Sequence, residues 1–599
     1  MGKSLKIVFI ILILANSVAY SSTLCLLVLY KLPLPVNNFR VYMKPSYFAV
    51  ATVCACVVSC FGAPKKAELV SPKVFEGDLP ALSSTYNKAA FADYSAGKLK
   101  EAYNALINSK YYSLVDKFGK DWPLDLKMFF ADNTELRNEF VSTLCDDDNT
   151  EQVFAILAKI YNAFPEKFAK YPRLAVAIAV VFDTPPPNEW PHAQVSDKIL
   201  PRKFPEPEKA FETIVGLREK GRFLFATEKL SVRELKFVVA ALSDENDIKW
   251  VQQKISTTLA NIPKLYPSIT YDKKRLDNKQ FDWTYGNYKL STIKEFGGIC
   301  TDQAYYTSEV AKRKGVPAFI LSGAGTDGGH AWVAYMKAPG NWNFNVGRYE
   351  DSRFVTGTTY DPQTWEKASD HDLGAMCEGF YNLEKYRNNM VCTAFAKEYL
   401  DAEDYAKAEK CAFAAAKFDD RNAETWNILI KSYKARKASD NDIIKLYAQA
   451  MKGFTAKYPD IDAAFRRELM QYLIDLERFD DARRLSTSII IKTRQARPDI
   501  AMSFARMELE SAIAEDSADK LNSSYKRLLG VFKNDGLIAF SNLSIPIFNA
   551  LLKKQKFDEC LGLLEISRKV LKPQKESLLE TEIDSVKSQI EGFKIKHNG

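Results

Sequence analysis

The sequence predicts a mainly α-helical chain with a central α+β domain, built from a helix and a small antiparallel sheet, and with helical repeats at the C-terminal end. Three observations predict this class. Apolar residues recur at three- and four-residue spacing over about 80–180 and again from about 390 onward. Alternating apolar residues in "VPAFILSG", "HAWVAYM" and "WNFNV" predict short strands between them. At 599 residues the chain also exceeds what one hydrophobic core supports, so several domains are expected.

Residues 1–63 are expected to direct export. Residues 7–30 form an apolar run long enough to span a bilayer. A second run, which begins at Met43, resembles a secretory signal peptide, so we favour translation from Met43, with Met1 as the alternative start. "VVSC", which ends at Cys60, resembles the lipobox of bacterial lipoproteins. We therefore expect a location in the cell envelope, the periplasm or at the cell surface, with attachment to the membrane through the N-terminus. A lipid on Cys60 and a transmembrane anchor at 7–30 are the two alternatives for that attachment.

Two segments precede the central domain. Residues 64–182 read as an N-terminal helical region, in which 174–183 ("LAVAIAVVFD") is apolar on all sides and should be buried. Residues 183–207 contain too many prolines for a continuous helix and should form a boundary or an ordered arm. Helical patterning resumes after the arm, and we assign residues 208–389 to one domain that includes the strand-forming segments.

The C-terminal residues 390–599 show a period that is typical of helical repeats. Tyr399 and Tyr433 lie 34 residues apart, and Ala408 and Ala415 supply small side chains where paired helices must approach closely. This spacing resembles the tetratricopeptide pattern. Such repeats bury their apolar faces by stacking, which predicts one helical array. The array could bind a protein or peptide partner, or it could serve as a packing platform for the preceding domain.

Composition argues against a nucleic-acid protein and against a metal protein. The net charge is +8, and residues 1–60 contain five basic side chains and no acidic one, so the remainder is nearly balanced. The cysteines are scattered, without a CxxC pair or a Cys/His spacing that suggests zinc. We therefore expect no nucleic acid, no metal and no organic cofactor.

One cysteine is placed where its thiol could react. In "GGICTDQAYYTSEVAKRKG", Gly297 and Gly298 precede Cys300, and a helical pattern runs to Lys314. Cys300 should therefore lie in the first turn of a helix, where free backbone N–H groups favour a thiolate. Asp302 in the same turn opposes a thiolate, so the site should need a positive partner.

His330 is the candidate partner because it is the only histidine in a strand-like segment, "GGHAWV". The turn in "KAPGN" should fold the following strand back and bring Asn345 near the His330 end. Asn345 could then hold the imidazole in one tautomer, and Asp361 in "TTYDPQTW" is the competing candidate for that role.

These segments together resemble the transglutaminase-like superfamily, in which a cysteine opens a helix, a "G-V-P-A" strand follows, and an "H-A-W" strand precedes one that carries Asp or Asn. The resemblance covers about 100 residues. It implies a papain-like core, with Cys300 as nucleophile, His330 as base and acid, and no cofactor. The third residue departs from the common pattern, since Asn345 stands where many members have Asp.

Two hypotheses of function follow. In the first, the protein is a thiol enzyme that attacks peptide or protein amides through a thioester on Cys300, with hydrolysis or transfer to an amine as the second step. In the second, the transglutaminase-like domain is inactive and the protein is a scaffold whose repeats bind partners. The position of the Cys300 sulfur, in an open cleft with His330 or walled into the core, discriminates between them.

Overall fold

A computed structural model describes residues 71–242, 244–325, 328–348, 356–377, 383–454 and 457–598 of the chain. All of them belong to the unit Val70–Gly599. The predicted apolar span at 7–30, the start at Met43 and the lipobox at Cys60 lie outside the described residues. Among the described residues, only Lys533–Lys553 is long and apolar enough to cross a bilayer, a property that buried core helices share.

The N-terminal region is helical, as predicted. After a 3-10 turn at Pro72–Glu76, its helices span Leu79–Ser95, Leu99–Phe118, Leu124–Asp132, Thr134–Thr143, Thr150–Ala163, Pro165–Lys170 and Pro172–Phe182. The all-apolar segment forms the last of these helices, and its residues from Leu174 to Val181 are buried, which confirms the prediction. One hydrophobic core includes residues from Leu79 to Val346, so these helices share a core with the central domain.

The proline-rich arm contains no helix or strand between Phe182 and Pro207. It is nevertheless fixed. The Arg202 guanidinium donates hydrogen bonds to the backbone carbonyls of Trp190, His192 and Val195 within the arm. The Trp190 ring is buried and contacts the rings of Phe204 and Trp365. The arm is therefore an ordered wall rather than a linker.

The central domain combines helices with one small sheet. Its helices span Pro207–Glu219, Val232–Val239, Glu245–Lys254, Lys273–Asp277, Leu290–Phe296 and Cys300–Arg313, with 3-10 turns at Thr227–Lys229 and Leu259–Leu265. The strands are β1 (Ala318–Gly325), β2 (Gly328–Ala338), β3 (Asn341–Val346), β4 (Thr358–Tyr360) and β5 (Lys367–Ser369). They form one antiparallel sheet in the order β3-β2-β1-β4-β5. A mainly helical chain with one small antiparallel sheet is thus confirmed.

Strand alternation places the two faces of β2 in different surroundings. Ala331 and Val333 belong to the large core, which also holds apolar residues of the Cys300–Arg313 helix. Trp332 and Ala334 face a smaller cluster with Leu321. The His330 ring lies 6.0 Å from the Trp332 ring. The helix that carries Cys300 packs on β1 and β2. The backbone carbonyls of Cys300 and of Ala331, the residue after His330, both lie within hydrogen-bond distance of the Tyr266 hydroxyl.

The C-terminal region is entirely helical among its described residues. Its helices span Asp370–Met376, Glu384–Asp401, Tyr405–Phe418, Ala423–Ala435, Asp440–Lys452, Pro459–Asp475, Phe479–Thr493, Pro498–Ala514, Ala518–Val531, Gly536–Ala539, Ile545–Lys553, Phe557–Leu571 and Leu578–Asn598, with a 3-10 turn at Lys533–Asp535 and a π-helical turn at Phe540–Ser544. From Glu384 onward, the most extensive helix contacts are with sequence neighbours, and Ala408 and Ala415 are fully buried. The array also touches the central domain, where the Thr356 hydroxyl donates to the Asp499 carboxylate at 3.1 Å.

Candidate active site

Cys300 is the first residue of the helix Cys300–Arg313 and is half-buried. Gly297 (φ +80°) and Gly298 precede it, and a Cβ atom on Gly297 would stand 2.3 Å from the Thr270 carbonyl oxygen. A larger side chain would therefore push the chain away from residues 270–272, whose backbone pairs with Gly298. The two glycines allow this close approach of the two backbone segments, which fixes the chain just before the helix begins.

The carboxylate of Asp302 is buried in the same helical turn as Cys300 and is paired. Its Oδ2 atom accepts from the Arg275 guanidinium and from the Ile299 backbone N–H, each at 2.8 Å. Its Oδ1 atom accepts from the Tyr288 hydroxyl at 2.7 Å. Burial raises the pKa of Asp302, and the nearby Arg275 charge opposes that shift. Asp302 therefore holds the first turn of the helix in place through its hydrogen bonds, and its negative charge is paired with the positive charge of Arg275.

The surroundings of Cys300 disfavour its thiolate form. Burial raises its pKa above the ordinary value of 9.0, while hydrogen bonds from the Ala331 backbone amide and from Thr301 act in the opposite direction. The Ala331 amide directly follows His330 in the chain. The sulfur thus lies against the strand end that carries the imidazole, and it rests there as a neutral thiol.

His330 is buried, with 6% of its surface exposed. Its Nε2 atom lies 2.7 Å from the backbone carbonyl oxygen of Gly347, at the end of β3. A carbonyl only accepts, so Nε2 carries the proton and Nδ1 of the neutral ring keeps a lone pair. Burial lowers the pKa of His330, and the hydrogen bond to Gly347 partly offsets this. The ring is therefore held as a neutral base in one tautomer.

The two side chains that the sequence offered as partners of His330 have other partners. Asn345 is exposed, and its Oδ1 atom accepts from Arg348 at 3.3 Å. The Asp361 carboxylate forms an ion pair with Lys236, with an Nζ to Oδ1 distance of 2.8 Å. Neither is the partner of Nε2, because the main-chain carbonyl of Gly347 takes that position. Sequence cannot show this, since any residue carries such a carbonyl.

Tyr266 ties the segments of the site together. Its hydroxyl donates to the Ala331 carbonyl at 2.7 Å and lies 3.3 Å from the Cys300 carbonyl. Its buried ring also packs against Gly347, whose carbonyl holds His330. One side chain thus contacts Cys300, the strand that carries His330, and Gly347, which accepts the hydrogen bond of His330.

Cys300 and His330 line the same cavity, which has a volume of about 500 Å³. His192 and Gln194 of the proline-rich arm also line this cavity. His192 is buried and its Nε2 atom lies 2.9 Å from the Tyr288 hydroxyl oxygen. The hydroxyl donates to Asp302, so Nε2 of His192 is the donor to Tyr288.

Gln194 is the residue that the sequence interpretation missed. Its Oε1 atom is buried without a hydrogen-bond partner among the described residues, and its backbone carbonyl is fixed by the Trp283 N–H at 2.9 Å. An amide in this cavity is a candidate donor to a developing oxyanion. Only the proline content marked the arm as unusual, and that signal says nothing about which residue enters the cleft.

Comparison with known proteins finds no matching family model, no matching curated protein and no matching solved structure. Among the described residues, no group of three or more His, Cys, Asp or Glu side chains could hold a metal ion. The side chains of the site are therefore the only indication of its chemistry among the described residues.

Proposed function

We propose that this protein is a thiol enzyme of transglutaminase-like, papain-like type that acts on peptide or protein amides through a thioester on Cys300. The observation that carries the proposal is the shared cavity. A cysteine at a helix N-terminus and a buried neutral histidine with an assigned tautomer line one cleft of about 500 Å³. This volume lies within the range of substrate pockets.

The neutral resting state indicates how the thiol would be activated. Because burial raises the pKa of Cys300 and lowers that of His330, the proton would move during attack rather than beforehand. Sγ bonds to the acyl carbon as Nδ1 of His330 takes the thiol proton. His330 then protonates the leaving amine, and water or a second amine, deprotonated by His330, cleaves the thioester.

The oxyanion of the tetrahedral intermediate needs donors. The Cys300 backbone N–H belongs to the first helical turn, where N–H groups have no intrahelical acceptor. The side-chain amide of Gln194 is the candidate second donor. Two such donors are what acyl transfer generally requires.

The proposal is tested by acylation with p-nitrophenyl acetate. Release of p-nitrophenolate and an acetyl group on Cys300, located by peptide mass spectrometry, should both be lost in Cys300→Ala. We expect His330→Ala to lower the acylation rate at pH 7 by about 10²–10⁴-fold. His371→Ala, a half-exposed histidine outside the cavity, is the matched control and should react like the wild type. Equal rates in His330→Ala and wild type would remove the base from the mechanism.

The alternative is a catalytically inactive scaffold whose helical repeats bind protein or peptide partners. One observation favours it, namely that thiol and imidazole both remain neutral at rest. A wild-type thiol that is acylated no faster than free cysteine would support the scaffold. Export and membrane attachment remain part of the proposal and rest on residues 1–63 alone.

A further inference from the structure

Two large apolar side chains remain exposed beside the nucleophile. Leu276 is 44% exposed and Phe281 is 46% exposed, and both line the cavity that contains Cys300 and His330. We call these two side chains the apolar lip. Exposed apolar side chains are common on surfaces when they are scattered singly. These two stand together at one catalytic-type cleft, where a bound molecule can cover them.

The lip is fixed to the nucleophile rather than carried on a loose loop. The Arg275 guanidinium binds the Asp302 carboxylate at 2.8 Å and also donates to the Phe281 carbonyl. Asp302 lies in the first turn of the Cys300 helix and is fully buried. Arg275 therefore joins the segment 276–281 to the turn that carries the thiol. A group held on the lip keeps a defined position relative to Sγ.

The charged residues of the cavity lining do not select substrates by their charge. Glu189 and Lys367 carry opposite charges and are both exposed, so they give no net preference for an acidic or a basic substrate. The cavity is also wide enough for a side chain of the size of phenylalanine next to a scissile amide. Apolar contact is then the feature that can discriminate among substrates.

We infer that Leu276 and Phe281 form an apolar subsite that selects peptide substrates with an aromatic or branched aliphatic side chain next to the attacked amide. This inference rests on the proposed function, because it takes Cys300 as the reacting group. It adds a substrate class to that function. Burial of the substrate side chain against the two lip residues supplies the preference.

The test measures how fast Cys300 is alkylated by two reagents of equal chemistry, chloroacetamide and N-benzylchloroacetamide. Sγ displaces chloride, so that an S–C bond forms, the C–Cl bond breaks and the thiol proton passes to His330 or to buffer. The rate ratio of the two reagents is divided by their ratio with glutathione, and peptide mass spectrometry reports Cys300 labelling. We expect a normalised preference of about tenfold for the benzyl reagent, which corresponds to about 1.4 kcal/mol.

Leu276→Ser/Phe281→Ser should reduce this preference to about one. Phe296→Ser is the matched control, because Phe296 is 50% exposed and stacks on Tyr285 but does not line the cavity. If the double variant loses its fold by circular dichroism, Leu276→Ser alone takes its place. A wild-type ratio equal to that of glutathione, as when another segment or partner covers the lip, overturns the inference. So does a ratio that survives both substitutions. The preference is a ratio that any thiol can show, so failure of the proposed function would appear separately, as a chloroacetamide rate at Cys300 no faster than that of glutathione.

Discussion

The ring of Tyr266 lies directly against Gly347, so that a Cβ atom at residue 347 would stand 2.6–2.7 Å from three ring carbons, which is nearer than any ordinary contact allows. Gly347 also has a φ of +84°, and its carbonyl accepts the hydrogen bond of His330 at 2.7 Å. The position of the His330 ring thus depends on the absence of a side chain at residue 347.

Gly347→Ala should therefore slow the acylation of Cys300 by about 10²-fold, because a displacement of about 1 Å in a reacting group has that effect. Gly340→Ala is the matched control. Gly340 also has a positive φ, of +68°, but a Cβ atom there meets nothing within 4 Å. Both variants should lose about 1–2 kcal/mol of unfolding free energy in urea from the backbone strain alone. Equal acylation rates in the two variants would mean that Tyr266 does not hold Gly347 in place.

Removal of the buried charge of Arg275 should destabilise the protein strongly. Arg275→Met leaves Asp302 buried without its cation, and we expect a loss of about 3–5 kcal/mol in the free energy of unfolding. Lys98→Met removes an exposed pair with Asp93, whose N–O distance is 3.5 Å, and should cost less than about 1 kcal/mol. Urea denaturation followed by tryptophan fluorescence measures both. Arg275→Met/Asp302→Asn should recover part of the loss, and no recovery would assign the effect to packing instead.

His192 should make the protein less stable in mild acid. Burial, followed by the nearby charges of Arg202 and Arg275, lowers the pKa of His192 from 6.5 to about 3. Between these two values the unfolded chain binds the proton and the folded chain does not, so unfolding becomes easier as the pH falls below about 6.5. The contribution reaches about 1.4 kcal/mol per pH unit and is absent above that pH.

His192→Gln should flatten this dependence, since glutamine keeps a donor for Tyr288 and does not titrate. Urea midpoints between pH 7 and pH 4 report the slope for wild type and variant. Identical slopes in wild type and His192→Gln would show that other groups control the acid response.

Gln194→Ala should slow acylation of Cys300 by about 10²–10³-fold without a change in thermal stability, which is the size of effect that loss of one oxyanion donor produces. Lys198→Ala, an exposed residue of the same arm, controls for general effects on the arm. A rate within threefold of wild type would leave the Cys300 backbone N–H as the donor that matters.

Local patterns made the helix of Cys300 and the β2–β3 hairpin predictable. Periodicity set the helix, and the turn residues Pro339 and Gly340 set the hairpin, in which Ala338 pairs with Asn341. The partner of His330 was not predictable in the same way. In the observed register Val346 pairs with Val333, so Asn345 lies well short of the His330 end. The group that reaches the imidazole is the backbone carbonyl of Gly347, and a backbone carbonyl cannot be recognised in the sequence because every residue has one.

The contributions of the arm were hidden for a different reason. His192 and Gln194 lie far from Cys300 in the sequence, and only the tertiary fold brings them into its cavity. Proline content excluded a helix there, which was correct, but it carried no information on where the arm runs. The buried pair of Arg275 and Asp302 was equally invisible, because its two members come from separate segments.

The shared core of the N-terminal and central helices has a practical consequence for anyone who expresses parts of this chain. Residues 208–389 look in the sequence like a separable catalytic module. Excision at residue 208 would remove the arm that forms one wall of the cleft, and it would strip the helices against which the remaining domain packs. A fragment that begins before Leu79 keeps the whole of the core that runs from Leu79 to Val346, and with it the support on which the cleft rests.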